Sequence, residues 1–558
     1  MLGHAGVGQL FNTAVNTKGA LGAIGTGSAG VSGNAAGYTL DQLGWSSVSP
    51  RTERGGFGFV LSLRQMLELQ GYAERGQRIV MRAHVKTRRH PARMNVVSAT
   101  IPGSDPAAGE LLSVAHAFET IATPGANDNC AGVGTTLEIA RTLARLIRDG
   151  VLPQPRRTLR FLWVPEISGT RAYMFAHPEL EDRLIAAMNY DMPATDLEKT
   201  DSYLRMKMTP DSVPSYLNDL VANLLQFVDQ TEIRTPTGNN APFNYRLVPF
   251  ISASDHAVFL AAGIPAMQFN HWPDNFYHSS ADTVEMTDPT EAKRIGFVGA
   301  AAFYHLASSG PGEAKALARE AAANGSKWIS EVARQSARLA VADAATLADH
   351  YGAAQNKVAG AFARGKGAVE SVTRLSNDAG VAATAAALVA GLESVRAAHA
   401  AMLDAVFKEQ AAAVGIAAPD RSAAAREQEL ALLVPRKKFK TFSAEAQKLT
   451  GRAGQGGGRG GAAGAGAPGG RGGGALSGLA ASEVAGFIDG RRSILDIYHA
   501  VRAEYGHVNT SSNEFKFAYV VSPDYPDIDM EAVYNTVQNL VAGGTVEVGK
   551  KEEARSKK

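Results

Sequence analysis

Three stretches decide the fold: Leu111–His116 (LLSVAH), Gly125–Arg141 (GANDNCAGVGTTLEIAR) and Arg157–Thr170 (RTLRFLWVPEISGT). The first and third carry apolar runs too continuous for a strand with one wet face. Such runs belong to strands covered on both sides. Between them, Gly132–Asp149 reads as a helix, with Val133, Leu137, Ala140, Ala144 and Ile147 as its apolar stripe. Working outward, Thr158–Pro165 is the second strand, Ile185–Asp191 (IAAMNYD) the third and Ala266–Asn270 (AMQFN) the last. This alternation over residues 55–310 predicts an α/β domain with a sheet buried under helices.

Composition sets the limits. The chain has 558 residues, 45% hydrophobic and 20% charged, which excludes wholesale disorder. A net charge of +2 offers no bulk attraction to nucleic acid or anionic membrane, so neither is expected as a partner. The single cysteine, Cys130, rules out an intrachain disulfide and a thiolate zinc cluster, so a metal site must use histidine and carboxylate. No run of about 18 apolar residues is present, so no membrane-spanning helix is expected. The first residues lack a basic region followed by an apolar one, so no signal peptide is expected. As given, the chain reads as cytoplasmic, or as secreted if its N-terminus is trimmed.

Residues 1–54, rich in Gly, Ser and Asn, form small strands and turns. Residues 55–310 form the α/β domain, and the Ala-rich residues 311–440 form helical hairpins. Residues 441–479 are a flexible linker, because Gly451–Gly474 holds 14 Gly in 24 residues. Its three arginines invite an RNA-binding reading, but no aromatic is there to stack bases. Residues 480–550 form a compact module of two helices (ILDIYHAVRAEYG and MEAVYNTVQNLVAGG) and a short strand (TVEV), which resembles a winged helix and is expected to serve protein interaction. Residues 551–558 are a charged tail.

The side chains able to bind metal fall at strand ends. His116, Glu166 and Asp191 end the first three strands, Asp128 lies in the Gly-Ala-Asn-Asp-Asn loop, and His278 follows the last strand. Ligands of open α/β sheets bind at the carboxyl ends of strands. Singly, each residue has an ordinary reading: a rim histidine, an N-cap aspartate, a solvated loop acid. Together, in His/Asp/Glu/Asp/His order at one edge, they favour a metal site with a carboxylate left over for proton transfer.

With Asn189–Met192 (NYDM), Ser252–Ala266 (SASDHAVFLAAGIPA) and Phe276–Pro289 (FYHSSADTVEMTDP) added, the motif set resembles the co-catalytic zinc exopeptidases of metallopeptidase family 28. That resemblance implies a mixed, mostly parallel sheet. It also implies that His116 and Asp191 bind one zinc, that Asp128 bridges, that His278 binds the second ion, and that Glu166 is the general base. Gly169 keeps the family's offset from that base. Asp255 and His256 match a Ser-Asp-His motif flanking the pocket, and the Asp128–Asn129 peptide is expected to be cis. Residues 18–27 (KGALGAIGTG) look like the tail of a protease-associated domain.

The chain also departs from the pattern. Ile167 stands where the family has the second ion's Glu ligand, with Glu119 nearby at a different offset. Ala117-Phe118 replaces the usual x-Asp after the histidine, removing the carboxylate that orients it. Ile251 stands where a tyrosine stabilises the oxyanion, leaving Tyr245 as a substitute. The expected activity is therefore aminopeptidase-like hydrolysis of peptides or small aminoacyl substrates by metal-activated water. One zinc is expected to be tight and the second weak or absent. The rival is a non-catalytic metal-binding or scaffold descendant of the same fold. Retention of Glu166, useful only for chemistry, argues against it.

Overall fold

The computed structural model describes residues 2–26, 40–48, 55–88, 90–118, 123–341, 343–417, 424–455, 476–509 and 519–551. Its centre is a seven-stranded sheet. The strands are β4 (Val97–Ile101), β5 (Glu110–Phe118), β6 (Thr158–Pro165), β7 (Leu184–Tyr190), β8 (Tyr203–Lys207), β9 (Tyr245–Val248) and β10 (Ala266–Trp272), in the order β4-β6-β5-β7-β10-β8-β9. The pairs β6-β5, β5-β7, β7-β10 and β8-β9 are parallel, while β4-β6 and β10-β8 are antiparallel. The sheet is thus mixed and mostly parallel. The four central strands run the same way and deliver their carboxyl ends to one edge.

Both faces of the sheet are covered, as the continuous apolar strands require. Leu111 and Ala115 of β5 join a core with Ile139, Leu143, Val221, Val298 and Phe303, from helices Gly132–Arg148, Leu217–Thr231 and Pro289–Ser308. Leu112 and Val114, pointing the other way, meet Met174 and Phe259 from helices Ser168–Ala176 and His256–Leu260.

The stripe expected on Gly132–Arg148 is displaced. Leu137 is 55% exposed, and the buried face is Gly132, Thr135, Thr136, Ile139 and Leu143. Thr136 is tolerated there because its hydroxyl is satisfied. The Thr136 Oγ1 donates to the Gly132 carbonyl at 2.8 Å and accepts from the Trp163 indole at 2.9 Å.

The flanking regions depart from the expected boundaries. The N-terminal sheet is parallel, β1 (Leu2–Gly6), β2 (Gly22–Thr26) and β3 (Phe57–Leu61), so it reaches beyond residue 54. Helices Pro311–Ser336, Leu347–Glu370 and Ala379–Ala413 pack on one another. The last of these is, by length and composition alone, long and apolar enough to cross a membrane, contrary to expectation. The segment 311–440 is not wholly helical, since β11 (Leu433–Lys437) is a strand that pairs antiparallel with β12 (Val546–Lys550).

The C-terminal module therefore borrows a strand from before the Gly-rich stretch, with Leu430 and Leu433 in its core. The expected linker also starts too early. Ala444–Gln455 is helical, and the Thr441 and Phe442 amides donate to Glu181. The remainder of the Gly-rich run, 456–475, and the tail from 552 lie outside the described residues.

The module is docked on the body. Ser212 donates through its amide and hydroxyl to Glu483, Asn356 donates to the His499 carbonyl at 2.7 Å, and the buried Lys357 donates to the Ala503 carbonyl at 3.1 Å.

Candidate metal centre

Parallel strands place the candidate ligands together. His116 is two residues from the end of β5, Glu166 and Asp191 directly follow β6 and β7, and His278 lies on the turn after β10. One ligand atom each of His116, Glu166 and Asp191 lies within 4.8 Å of the others. Asp128 connects the two histidines. Its Oδ1 lies 3.4 Å from His116 Nε2 and its Oδ2 3.1 Å from His278 Nε2. Asp191 Oδ1 is 3.3 Å from the same His116 nitrogen. His116, Asp128 and Asp191 are buried, Glu166 is half-buried, and the His278 side chain keeps 16% exposure.

The loop that carries Asp128 is fastened on every side. Asp282 accepts the Asn127 amide at 2.8 Å and the Asp128 amide at 3.0 Å. The Asn127 side chain donates to Asp274 and accepts from Thr195. The Asn129 amide donates to the Tyr190 carbonyl, while its oxygen accepts from the Gly132 and Met192 amides. The Asp128–Asn129 peptide is cis. Sequence reading missed Asn127, Asn129, Asp274 and Asp282. They lie in the polar stretches Gly125–Cys130 and Pro273–Thr283, whose composition is that of ordinary turns.

Glu166 has its own support. A Cβ at Gly169 would run into the Pro165 ring, so glycine lets the chain fold back under the base. Asp255, fully buried, accepts the Ile167 amide at 2.7 Å and the Thr170 hydroxyl at 2.5 Å. Burial pushes the Asp255 carboxyl up to about 6, against the pull of His116 and of these hydrogen bonds. Asp191 Oδ2 accepts from Gln268 at 2.7 Å, leaving Oδ1 toward His116.

Two expectations change. His256 does not line the site. It is fully buried, pairs with the Ile251 carbonyl at 2.9 Å and stacks edge-on with Phe250. Burial, aided by Lys207, lowers its pKa to about 3, so it stays neutral. Tyr245 is not brought to the site either. It sits on the edge strand β9, two strands beyond β10, and packs on Phe243. Glu119 lies outside the described residues.

The donor set fits zinc: two imidazoles and carboxylates, one of them facing both histidines with separate oxygens. The electrostatics agree. Burial alone would push the His116 imidazole down, but hydrogen bonds and attraction from Asp128 and Asp191 hold its pKa well above the ordinary value. A site that stabilises positive charge among buried carboxylates is one that calls for a cation. His116 Nδ1 is buried with no hydrogen-bond partner among the described residues, as the missing x-Asp carboxylate would leave it.

A "probable zinc metalloprotease" of Leptosphaeria maculans is 25% identical over 263 residues, covering 40% of this chain and 59% of that protein. A second, from Pyrenophora teres f. teres, is 24% identical over 223 residues, covering 33% and 44%. The chain thus spans about half the length of the curated relatives it matches. Among solved structures, an aminopeptidase from Aneurinibacillus sp. strain AM-1 is 20% identical with a TM-score of 0.34, covering 55% of this chain and 68% of that one. Residues 95–303, which include every candidate ligand above, match the family model of peptidase family M28.

Proposed function

We propose that this chain is a zinc-dependent exopeptidase of aminopeptidase type, acting on peptides or small aminoacyl compounds. The observation that carries the reading is Asp128, whose two oxygens face two different histidines. That is the arrangement a bridging carboxylate needs. His116, Asp128 and Asp191 would hold the tighter zinc, with His278 and Asp128 holding a weaker one. Bound zinc would supply Lewis acidity, polarising a carbonyl and making water easier to deprotonate. Glu166, half-buried beside His116 and Asp191, takes the proton of the attacking water and returns it to the leaving amine. Asp255 keeps Glu166 in place through the Ile167 amide and the Thr170 hydroxyl.

Glu166→Gln tests this. Hydrolysis of aminoacyl substrates should fall about 10²–10⁴-fold, as loss of a general base does, with zinc content unchanged. Loss of zinc in that variant would make Glu166 a ligand. A second reading, a binding or scaffold protein, is favoured by Ile167, Ile251 and the unpartnered His116 Nδ1. It requires zinc to bind while no panel of aminoacyl or acyl-glutamate substrates is hydrolysed by the unmodified chain.

A further inference from the structure

Residues 40–48 leave the N-terminal unit and cross the turn that carries His278. Both ends are anchored in that unit: Val48 packs on the small core of Val7, Phe11, Val15 and Ala23, and the Leu40 carbonyl accepts the Arg64 amide at 2.9 Å. Between these anchors, Gln42–Trp45 are bonded to the His278 turn residue by residue. Gln42 donates to the Asn275 carbonyl at 3.1 Å, and Leu43 exchanges two bonds with Ser280. Gly44 forms a β-bridge with Ser279, and the Trp45 amide donates to the His278 carbonyl at 2.6 Å. The Trp45 indole then meets the His278 imidazole edge-on, centroids 4.4 Å apart, while Tyr277 stacks on it at 3.6 Å.

His278 needs such support. Its φ is +53°, a left-handed conformation that a β-carbon makes costly and that persists only when surroundings over-determine it. Its imidazole stands on a turn rather than in a strand, so its direction is set by what packs against it. We propose that Trp45 is a positioning residue for His278, so that the N-terminal unit sets how tightly the second metal position of the centre is held. This rests on the metal reading above, and deepens it by assigning a role to a part of the chain outside residues 95–303.

The test uses the full chain, stripped of metal and titrated with Zn²⁺ against a chromophoric chelator, and with Co²⁺ followed by its visible absorption. Trp45→Leu keeps apolar bulk but removes the aromatic edge. The second equivalent should bind about 10–100-fold more weakly, the usual size of an outer-shell loss, with the first equivalent unchanged. The Co²⁺ spectrum should change only in the second equivalent. Trp45→Phe, which keeps an aromatic edge, should recover most of the affinity. Equal second-site affinity in Trp45→Leu, or equal weakening of both equivalents, overturns the proposal. So does an unmodified chain that takes up one ion only. A chain that binds no Zn²⁺ at all instead overturns the metal reading itself, which keeps the two failures apart.

Discussion

At the scale of single residues, position 167 is where this centre differs most from the pattern it resembles. Its amide is held by Asp255 and its side chain packs with the apolar core on that face of the sheet. On the proposed reading, with isoleucine there, the second metal position would have only His278 and the shared Asp128, fewer protein ligands than the three usual in catalytic zinc sites. Tightly held zinc is therefore expected near one per chain. Ile167→Glu should move it toward two, read by stoichiometric titration of the metal-free protein. Two equal tight sites in the unmodified chain would refute this. The candidate site residues themselves were legible in the sequence, because strand ends and spacing placed His116, Asp128, Glu166, Asp191 and His278 in one order. The failures were His256 and Tyr245. A motif match cannot say whether a side chain turns toward the site or into the core. Burial of His256 against Ile251 settles that only in three dimensions.

At the scale of elements, the four parallel central strands were read to within about two residues, because runs of apolar residues buried on both faces stand out in the sequence, whereas β4, β8 and β9 toward the sheet edges were not read. Helix Gly132–Arg148 was found, but its buried face was not. Threonine counts as polar in a pattern, yet here it lies inward with its hydroxyl bonded. The pairing of β11 with β12 was invisible, since it joins residues over a hundred positions apart across a Gly-rich run. Contact between helix Leu347–Glu370 and the module helix Ile494–Tyr505 is equally non-local. It depends on Gly360, where a Cβ would overlap the methyl group of Ala503. Gly360→Leu should lift the module off the body. Limited proteolysis should then cut the Gly-rich stretch faster, and bound zinc should stay the same. An unchanged cleavage rate would mean that the hydrogen bonds of Asn356 and Lys357 hold the module without this close approach.

At the scale of the whole molecule, the junction of body and module is built from buried ionisable groups. Burial, with Asp211 beside it, pushes the Glu483 carboxyl up to about 7, against the pull of the Ser212 amide and hydroxyl. An unfolded Glu releases its proton near 4.5. Between those values the folded chain binds more protons than the unfolded one, so this group makes stability fall as pH rises across the window. Glu483→Gln should reduce the fall in thermal midpoint between pH 5 and pH 7, measured side by side with the unmodified chain. An equal fall in both would place the titration elsewhere. A Gly-rich composition between the body and the module says nothing about the surfaces on either side of it, and the module docks on the body. The sequence by itself determined the α/β class, the four central strands and the candidate site residues, because these follow from local periodicity and from chemistry carried by single side chains. Only the tertiary structure decided which side chains meet: Asp128 between two histidines, Asp282 under its loop, Trp45 against His278, Glu483 against Ser212. Each joins residues remote in the chain, and remote contacts are set by how the elements pack, which no local pattern encodes.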